Sequence, residues 1–370
     1  MALPPAAPPA VDEAVLDDLR ARLAAFRAVP LPAGHGWSRG VDPGYLTELV
    51  TWWRDEYDWR AAERTVRELP WAVAGVGDSA VRAVLRTGST PGLPVLFLHG
   101  WPDSVLRFTR VLAGSADLTA VVPALPGYPF AAPTRPVGMS AADTAHLLAA
   151  AMTEWGFPRF VVSAGDVGCD VAEVLAAEYP ERVAALHLTD VSQHHFLRDG
   201  LADDATDEER AYLARGQDWQ RREGGYSHEQ STRPQTLAVG LGDSPAGLAA
   251  WIVDKLRSWS DCGGDVESVF PREDLLTWVT AYWVSGAIGT SFTPYVDQVV
   301  RPDRFPPPAV FTVFPRDLVN APRAFAERMF DVRAWTEHEH GGHFAAWECP
   351  QDYLAGVRAA VALAGGSTNV

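Results

Sequence analysis

Residues 160–175 read FVVSAGDVGCDVAEVL. The run Phe160-Val161-Val162 has the composition of a buried strand, and Val171, Val174 and Leu175 recur at the spacing of one helix face. Between them, Ser163-Ala164-Gly165-Asp166-Val167-Gly168 sets small residues around a single charged one. Strand, sharp turn, helix is the geometry of a nucleophile elbow, where small neighbours let a reactive side chain stand at the tip. The tip residue here is neither serine nor cysteine but Asp166. Because Asp is also a favoured helix N-cap, this stretch alone leaves capping and chemistry both open.

Outward from this point the chain is organised as an α/β protein. Val81–Leu85, Pro94–Leu98, Leu118–Val122, Phe160–Val162, Ala184–Leu188 and Ala309–Val313 are short apolar runs that predict strands. Helical patterns such as Met139–Trp155 and Val171–Glu178 lie between most of them, and this alternation predicts a mostly parallel sheet. Residues 79–191 and 301–370 are expected to form the two parts of that core. From 192 to 300 the alternation stops; an acidic start (Asp203, Asp204, Asp207, Glu208, Glu209) leads into helices rich in Trp and Tyr. A helical block between two sheet strands predicts a cap over the carboxyl ends of the strands, where open α/β sheets carry their sites. Residues 1–78 read as a leading arm: an Ala/Pro-rich tail, an amphipathic helix through Val15, Leu16, Leu19, Leu23 and Phe26, and a second through Leu46, Leu49, Val50, Trp52 and Trp53. The arm has aromatics but no catalytic cluster, so packing against the rest is its expected job.

Composition narrows the function classes. With 370 residues, 47% of them hydrophobic, and 14 Trp, the chain can bury a sizeable core. Its formal charge of −16 would repel nucleic acid and anionic lipid, so neither is an expected partner. Cys169, Cys262 and Cys349 are odd in number and widely spaced, without metal-ligand spacing, which points to reduced thiols and no metal. The opening MALPPAAPPAVDEAVLDDLR lacks the basic start and apolar stretch of a signal peptide. No apolar run approaches the roughly 20 residues of a membrane span. A soluble, cytoplasmic protein is the expectation.

Two further stretches favour chemistry at Asp166. Leu98-His99-Gly100-Trp101-Pro102-Asp103 follows an apolar strand. A His-Gly segment at this place in α/β-hydrolases supplies one backbone N–H of an oxyanion hole, and the residue after the nucleophile supplies the other. That nominates the N–H groups of Trp101 and Val167. Near the C-terminus, Glu339-His340-Gly341-Gly342-His343-Phe344-Ala345-Ala346-Trp347-Glu348 offers a late histidine in the hydrolase order of nucleophile, acid, His. His343 opens an apolar stretch that would fix its ring, whereas His340 is expected to be exposed. The acid should follow a late strand, and Asp317 does so after Val310-Phe311-Thr312-Val313-Phe314. Asp331, Glu337 and Glu339 compete without a comparable apolar run before them.

The chain resembles the epoxide hydrolases of the α/β-hydrolase superfamily, of the microsomal-like and fungal type that carries an N-terminal arm. The matching motifs are Tyr57-Asp58-Trp59-Arg60, His99-Gly100-Trp101-Pro102, Leu125-Pro126-Gly127-Tyr128, Gly165-Asp166-Val167-Gly168, Asp243-Ser244-Pro245 and Gly341-Gly342-His343-Phe344-Ala345-Ala346. The resemblance implies that Asp166 is the nucleophile, His343 the base and Asp317 its acid. It also implies that Tyr226 and Tyr295 hold the epoxide oxygen, with Tyr212 and Tyr282 as packing residues. It implies a small-molecule epoxide as substrate, no cofactor, and an arrangement as a homodimer in line with relatives that are often dimers. Three positions depart from the family pattern: Val167 stands where Trp is usual, Asp103 where Gly is usual, and Gly77-Asp78-Ser79-Ala80-Val81-Arg82 lacks the usual His.

A carboxylate nucleophile suits an epoxide. Serine would form an ether that activated water cannot cleave, whereas Asp166 would form an ester with a carbonyl open to attack. Other chemistries fit less well. A haloalkane dehalogenase wants N–H donors for halide, and Val167 removes the obvious indole. A serine esterase needs a G-x-S-x-G elbow, which is absent. A biosynthetic enzyme that opens an epoxide with a nucleophile carried on the substrate would keep the same constellation and exclude water. A silent binding module would have no need for all five side chains.

Overall fold

The computed structural model describes residues 5–195, 203–296 and 304–366. Residues 1–4 of the Ala/Pro tail, 196–202 and 297–300 of the expected cap, and 301–303 and 367–370 of the expected core lie outside them. Eight strands form one sheet: β1 (Trp71–Val76), β2 (Ser79–Arg86), β3 (Val95–Leu98), β4 (Ala120–Pro123), β5 (Phe160–Ala164), β6 (Val183–Leu188), β7 (Phe305–Val313) and β8 (Phe330–Glu337). Their order is β1-β2-β4-β3-β5-β6-β7-β8. β1 and β2 pair antiparallel, as do β2 and β4, and every other pair is parallel. β3, β4, β5 and β6 are buried along their whole length. That two-faced burial is why they read as continuous apolar runs.

Helices α1 (Glu13–Ala24), α2 (Pro43–Asp55) and α3 (Trp59–Arg67) precede the sheet. α4 (Thr109–Gly114), α5 (Ala141–Glu154) and α6 (Val167–Glu178) alternate with its strands. Between β6 and β7 come α7 (Asp207–Glu223), α8 (Gly225–Thr232), α9 (Pro234–Asp243), α10 (Pro245–Trp259), α11 (Arg272–Ser285) and α12 (Thr293–Val296). α13 (Arg323–Glu327), α14 (Ala345–Glu348) and α15 (Pro350–Gly366) complete the chain. The acidic run starting α7 is a capping box: Thr206 and Glu209 exchange side-chain-to-backbone hydrogen bonds.

All six expected strands are present. Two are added: β8, and β1, which lies inside the stretch read as the leading arm and starts the sheet before residue 79. Both are edge strands, half-buried rather than uniformly apolar. The arm's helices pack on the inserted ones: Tyr45 donates to Glu267 at 3.0 Å, and the Tyr57 and Thr277 hydroxyls lie 3.0 Å apart. No single helix among the described residues is long and apolar enough to cross a membrane.

Candidate active site

The sheet delivers Asp166 at the end of central strand β5, where the chain must turn at once into α6. Its backbone adopts φ 55°, ψ −136°, a combination that costs a non-glycine residue roughly 1–3 kcal/mol. The turn is held by packing of α6 against β3. A Cβ on Gly168 would come within 2.5 Å of the Leu98 carbonyl oxygen, so only glycine lets the helix start this close to the strand end.

From β3 the His99-Gly100-Trp101 segment runs over the elbow, and the Trp101 N–H donates to Asp166 Oδ1 at 2.8 Å. The Val167 N–H also points to the Asp166 carboxylate. Both donors nominated from the sequence therefore face the same group. His99 itself is a scaffold residue. Its Nδ1 lies 3.1 Å from the Gly100 carbonyl oxygen and its Nε2 accepts from the Leu125 N–H at 3.2 Å. Burial pushes its pKa down to about 3, which keeps the ring neutral and suits that pattern.

His343 meets both carboxylates. Its Nδ1 lies 2.7 Å from Asp317 Oδ1, and its Nε2 lies 3.2 Å from Asp166 Oδ2. The second contact is an ion-pair approach, and Nε2 has no other protein partner. Side-chain exposures of 1%, 7% and 2% for His343, Asp166 and Asp317 place all three in a low-dielectric setting. Burial alone would lower the pKa of His343, but the adjacent Asp317 and Asp166 raise it overall. Burial likewise opposes ionisation of Asp166, yet His343 and the Val167 and Trp101 N–H groups hold its pKa below the usual value. The resting pair is imidazolium and carboxylate.

Tyr226 and Tyr295 lie on the inserted helices α8 and α12, near enough to this pair for the Asp166 charge to act on both. The Tyr226 ring stacks on Trp101 with centroids 5.4 Å apart at 9°, and lies 6.0 Å from the Tyr295 ring. Burial is the first cause that raises both phenols' pKa well above the ordinary value, and the charge of Asp166 adds to it. Both are neutral O–H donors near neutral pH. Trp219, Trp259 and Phe292 complete an aromatic wall around Trp101 and Tyr226.

Comparison with known proteins gives the family and the fold. Residues 6–108 match the family described as epoxide hydrolase N terminus, and residues 94–238 match the alpha/beta hydrolase fold. A proposed epoxide hydrolase of Stigmatella aurantiaca is 34% identical over 92% of this chain and 81% of its own length. The chain belongs to the epoxide hydrolases of the α/β-hydrolase superfamily. Epoxide hydrolase 1 of Oryctolagus cuniculus is 27% identical over 91% of this chain and 84% of its own. An enantioselective mutant of the Aspergillus niger epoxide hydrolase superposes with a TM-score of 0.85 at 25% identity, covering 98% of each chain. The juvenile hormone epoxide hydrolase of Bombyx mori shares the fold, with a TM-score of 0.84 over 98% of this chain and 95% of its own.

Other contacts support the site, some of them illegible in the sequence. Tyr282, expected only to pack, donates to the Asp103 carbonyl at 2.9 Å and so steadies the loop after Trp101. Asp103 pairs with Arg107 at 2.7 Å, both buried, and Arg107 Nη2 donates to the His343 carbonyl at 2.5 Å. The departure from glycine at 103 was the only sequence signal for that pair. Asp190, just past β6, accepts from Cys169 Sγ at 2.8 Å, and burial followed by the charge of Asp317 pushes its pKa up to about 7. Tyr212 is buried against Phe325. Of the rival acids, Asp331 pairs with Arg333 and Glu337 accepts from the Trp335 indole, while Glu339 and His340 are exposed. Cys169, Cys262 and Cys349 are free thiols. Among the described residues no group of three or more His, Cys, Asp or Glu is placed to hold a metal ion.

Proposed function

We propose that the chain hydrolyses an organic epoxide to a vicinal diol through a covalent alkyl-aspartyl ester, beneath a cap formed by the helices between β6 and β7. The observation that carries this reading is the division of labour at Asp166: Oδ1 is held by the Trp101 N–H, while Oδ2 faces His343. Oδ2 attacks a ring carbon, the carbon–oxygen bond of the epoxide breaks, and its electron pair moves to the ring oxygen. Tyr226 and Tyr295 stabilise that oxygen by hydrogen bonding and supply its proton.

Esterification removes the charge of Asp166, and His343 gives its resting proton to the phenolate; now neutral and oriented by Asp317, it takes a proton from a water that attacks the ester carbonyl carbon. Charge builds on Oδ1, which already accepts the Trp101 N–H, with the Val167 N–H beside the same carboxylate. Collapse breaks the acyl–oxygen bond; His343 protonates the departing diol oxygen, and the remaining carboxyl proton passes to His343, restoring the resting imidazolium and carboxylate. A serine or a metal-bound hydroxide is not needed at any step.

The test is a single turnover in heavy-oxygen water with enzyme in excess over epoxide. The diol should emerge largely unlabelled, while the peptide containing Asp166 gains heavy oxygen. Under multiple turnover the label should then enter product. A labelled diol in the first turnover would mean that Asp166 only activates water, and would falsify the covalent reading. A substrate-borne nucleophile predicts no solvent oxygen in either place.

A further inference from the structure

The base does not sit on a free loop. Four consecutive backbone N–H groups around it are each committed to a named partner. Gly341 donates to Asp261 Oδ2 at 3.0 Å, Gly342 to Glu348 Oε2 at 3.0 Å, His343 to the Trp259 carbonyl at 2.8 Å, and Phe344 to Glu348 Oε1 at 2.9 Å. Glu348 Oε2 also accepts the Asp261 N–H at 2.7 Å. One carboxylate thus holds both residues flanking His343 and the chain just beyond α10. The approach is close enough that a Cβ on Gly342 would lie 2.6 Å from the Trp259 carbonyl oxygen.

The same end of α10 also touches the site from above. The Trp259 ring lies 5.4 Å from the His343 ring and 4.9 Å from that of Tyr226. Base, donor tyrosine and inserted helix are therefore fixed to one another through Trp259–Asp261 and Glu348.

We propose that Glu348 is a positioning residue that fastens the His343 loop to the end of α10, so that placement of the inserted helices and of the base is one event. Helix capping accounts for its bond to Phe344, because a glutamate late in a short helix readily reaches back to the first N–H groups. Capping does not account for the bond to Asp261, which lies in a different part of the fold. The carboxylate uses both oxygens as acceptors, and an amide in its place would turn an NH2 group towards backbone N–H donors.

This rests on the covalent reading above, and the test separates the two. Glu348→Gln should leave attack by Asp166 intact and slow the water step. A misplacement of order 1 Å costs roughly 100-fold in rate; kcat and KM should fall together by about 10–100-fold, kcat/KM should stay within about twofold, and the ester should accumulate in mass spectra. Gly342→Ala, which pushes the loop off Trp259 and keeps the Glu348 side chain itself, should give the same signature and serves if Glu348→Gln does not fold. A purely structural role predicts instead a lower melting temperature with kcat/KM reduced and no ester. His343→Gln is run alongside. If it traps no ester, the covalent reading fails; if it does while both loop variants turn over like wild type, only the role of Glu348 is overturned.

Discussion

At the scale of single residues, the proposed mechanism is two half-reactions built from different side chains, and substitutions should separate them. Tyr226→Phe or Tyr295→Phe removes a donor to the developing alkoxide; loss of one such donor typically costs about 100–1000-fold in rate, softened here by the neighbouring phenol 6.0 Å away, centroid to centroid. Single-turnover ester formation should slow while hydrolysis of formed ester does not; an unchanged alkylation rate would return both tyrosines to packing. His343 should show a shift between states. Its raised pKa depends on two carboxylates, Asp317 and Asp166, and the ester removes the charge of the second. In the proposed mechanism neutral imidazole is the base, so hydrolysis should fall as pH drops through the pKa of the ester state. That limb of the kcat profile should lie at lower pH than the titration of His343 in resting enzyme followed by NMR. Coincident values would mean that Asp166 keeps its charge and no ester forms. Asp166, His343, Asp317 and the two tyrosines were legible because each stands in a distinctive local setting or a family motif. Glu348, Asp103 and Arg107 were not: Asp103 and Arg107 pair at i,i+4 spacing and Glu348 binds nearby Gly342 and Phe344, but nothing local marks a buried carboxylate from a solvated one.

At the scale of elements, the elbow is a junction of β5, α6 and β3, and the strain at Asp166 is sustained by how closely α6 lies against the Leu98 carbonyl. Gly168→Ala should force that helix start outward. Overpacking of this kind typically costs about 1–3 kcal/mol, read as a shift in denaturation midpoint. Because the Val167 N–H moves with the helix, activity should drop beyond the loss of folded enzyme. A variant as stable and active as wild type would show that the junction tolerates the displacement and that the close approach is incidental. The strands meeting here were easy to read since both faces are covered, giving unbroken runs such as Val95–Leu98. The edge strands β1 and β8 were missed for the complementary reason. Each has one neighbour and half-buried positions, so WAVAGV and FDVRAWTE carry too weak an alternation to announce themselves.

At the scale of the whole molecule, the N-terminal helices bear on the site from a distance. α2 packs through Leu49, Val50 and Trp53 into the same core cluster as Leu248, Ile252 and Leu256 of α10, and α10 ends at Trp259, whose carbonyl receives the His343 N–H. The exposed pair of Arg22 and Asp243 at 2.8 Å adds little to that link, since surface ion pairs are screened by water and salt. Apolar burial does the holding. Trp53 is 2% exposed, and truncating such a residue costs about 3–5 kcal/mol. Trp53→Ala should therefore loosen α10 first: amide exchange along Pro245–Trp259 should quicken while β5, buried in mid-sheet, stays protected. The water step should weaken along with it, because the base leans on the end of that helix. Arg22→Ala should change neither measurement. If instead exchange rose equally in α10 and β5, the arm would be part of one cooperative unit with the sheet, and the path from arm to base through α10 would have no separate existence.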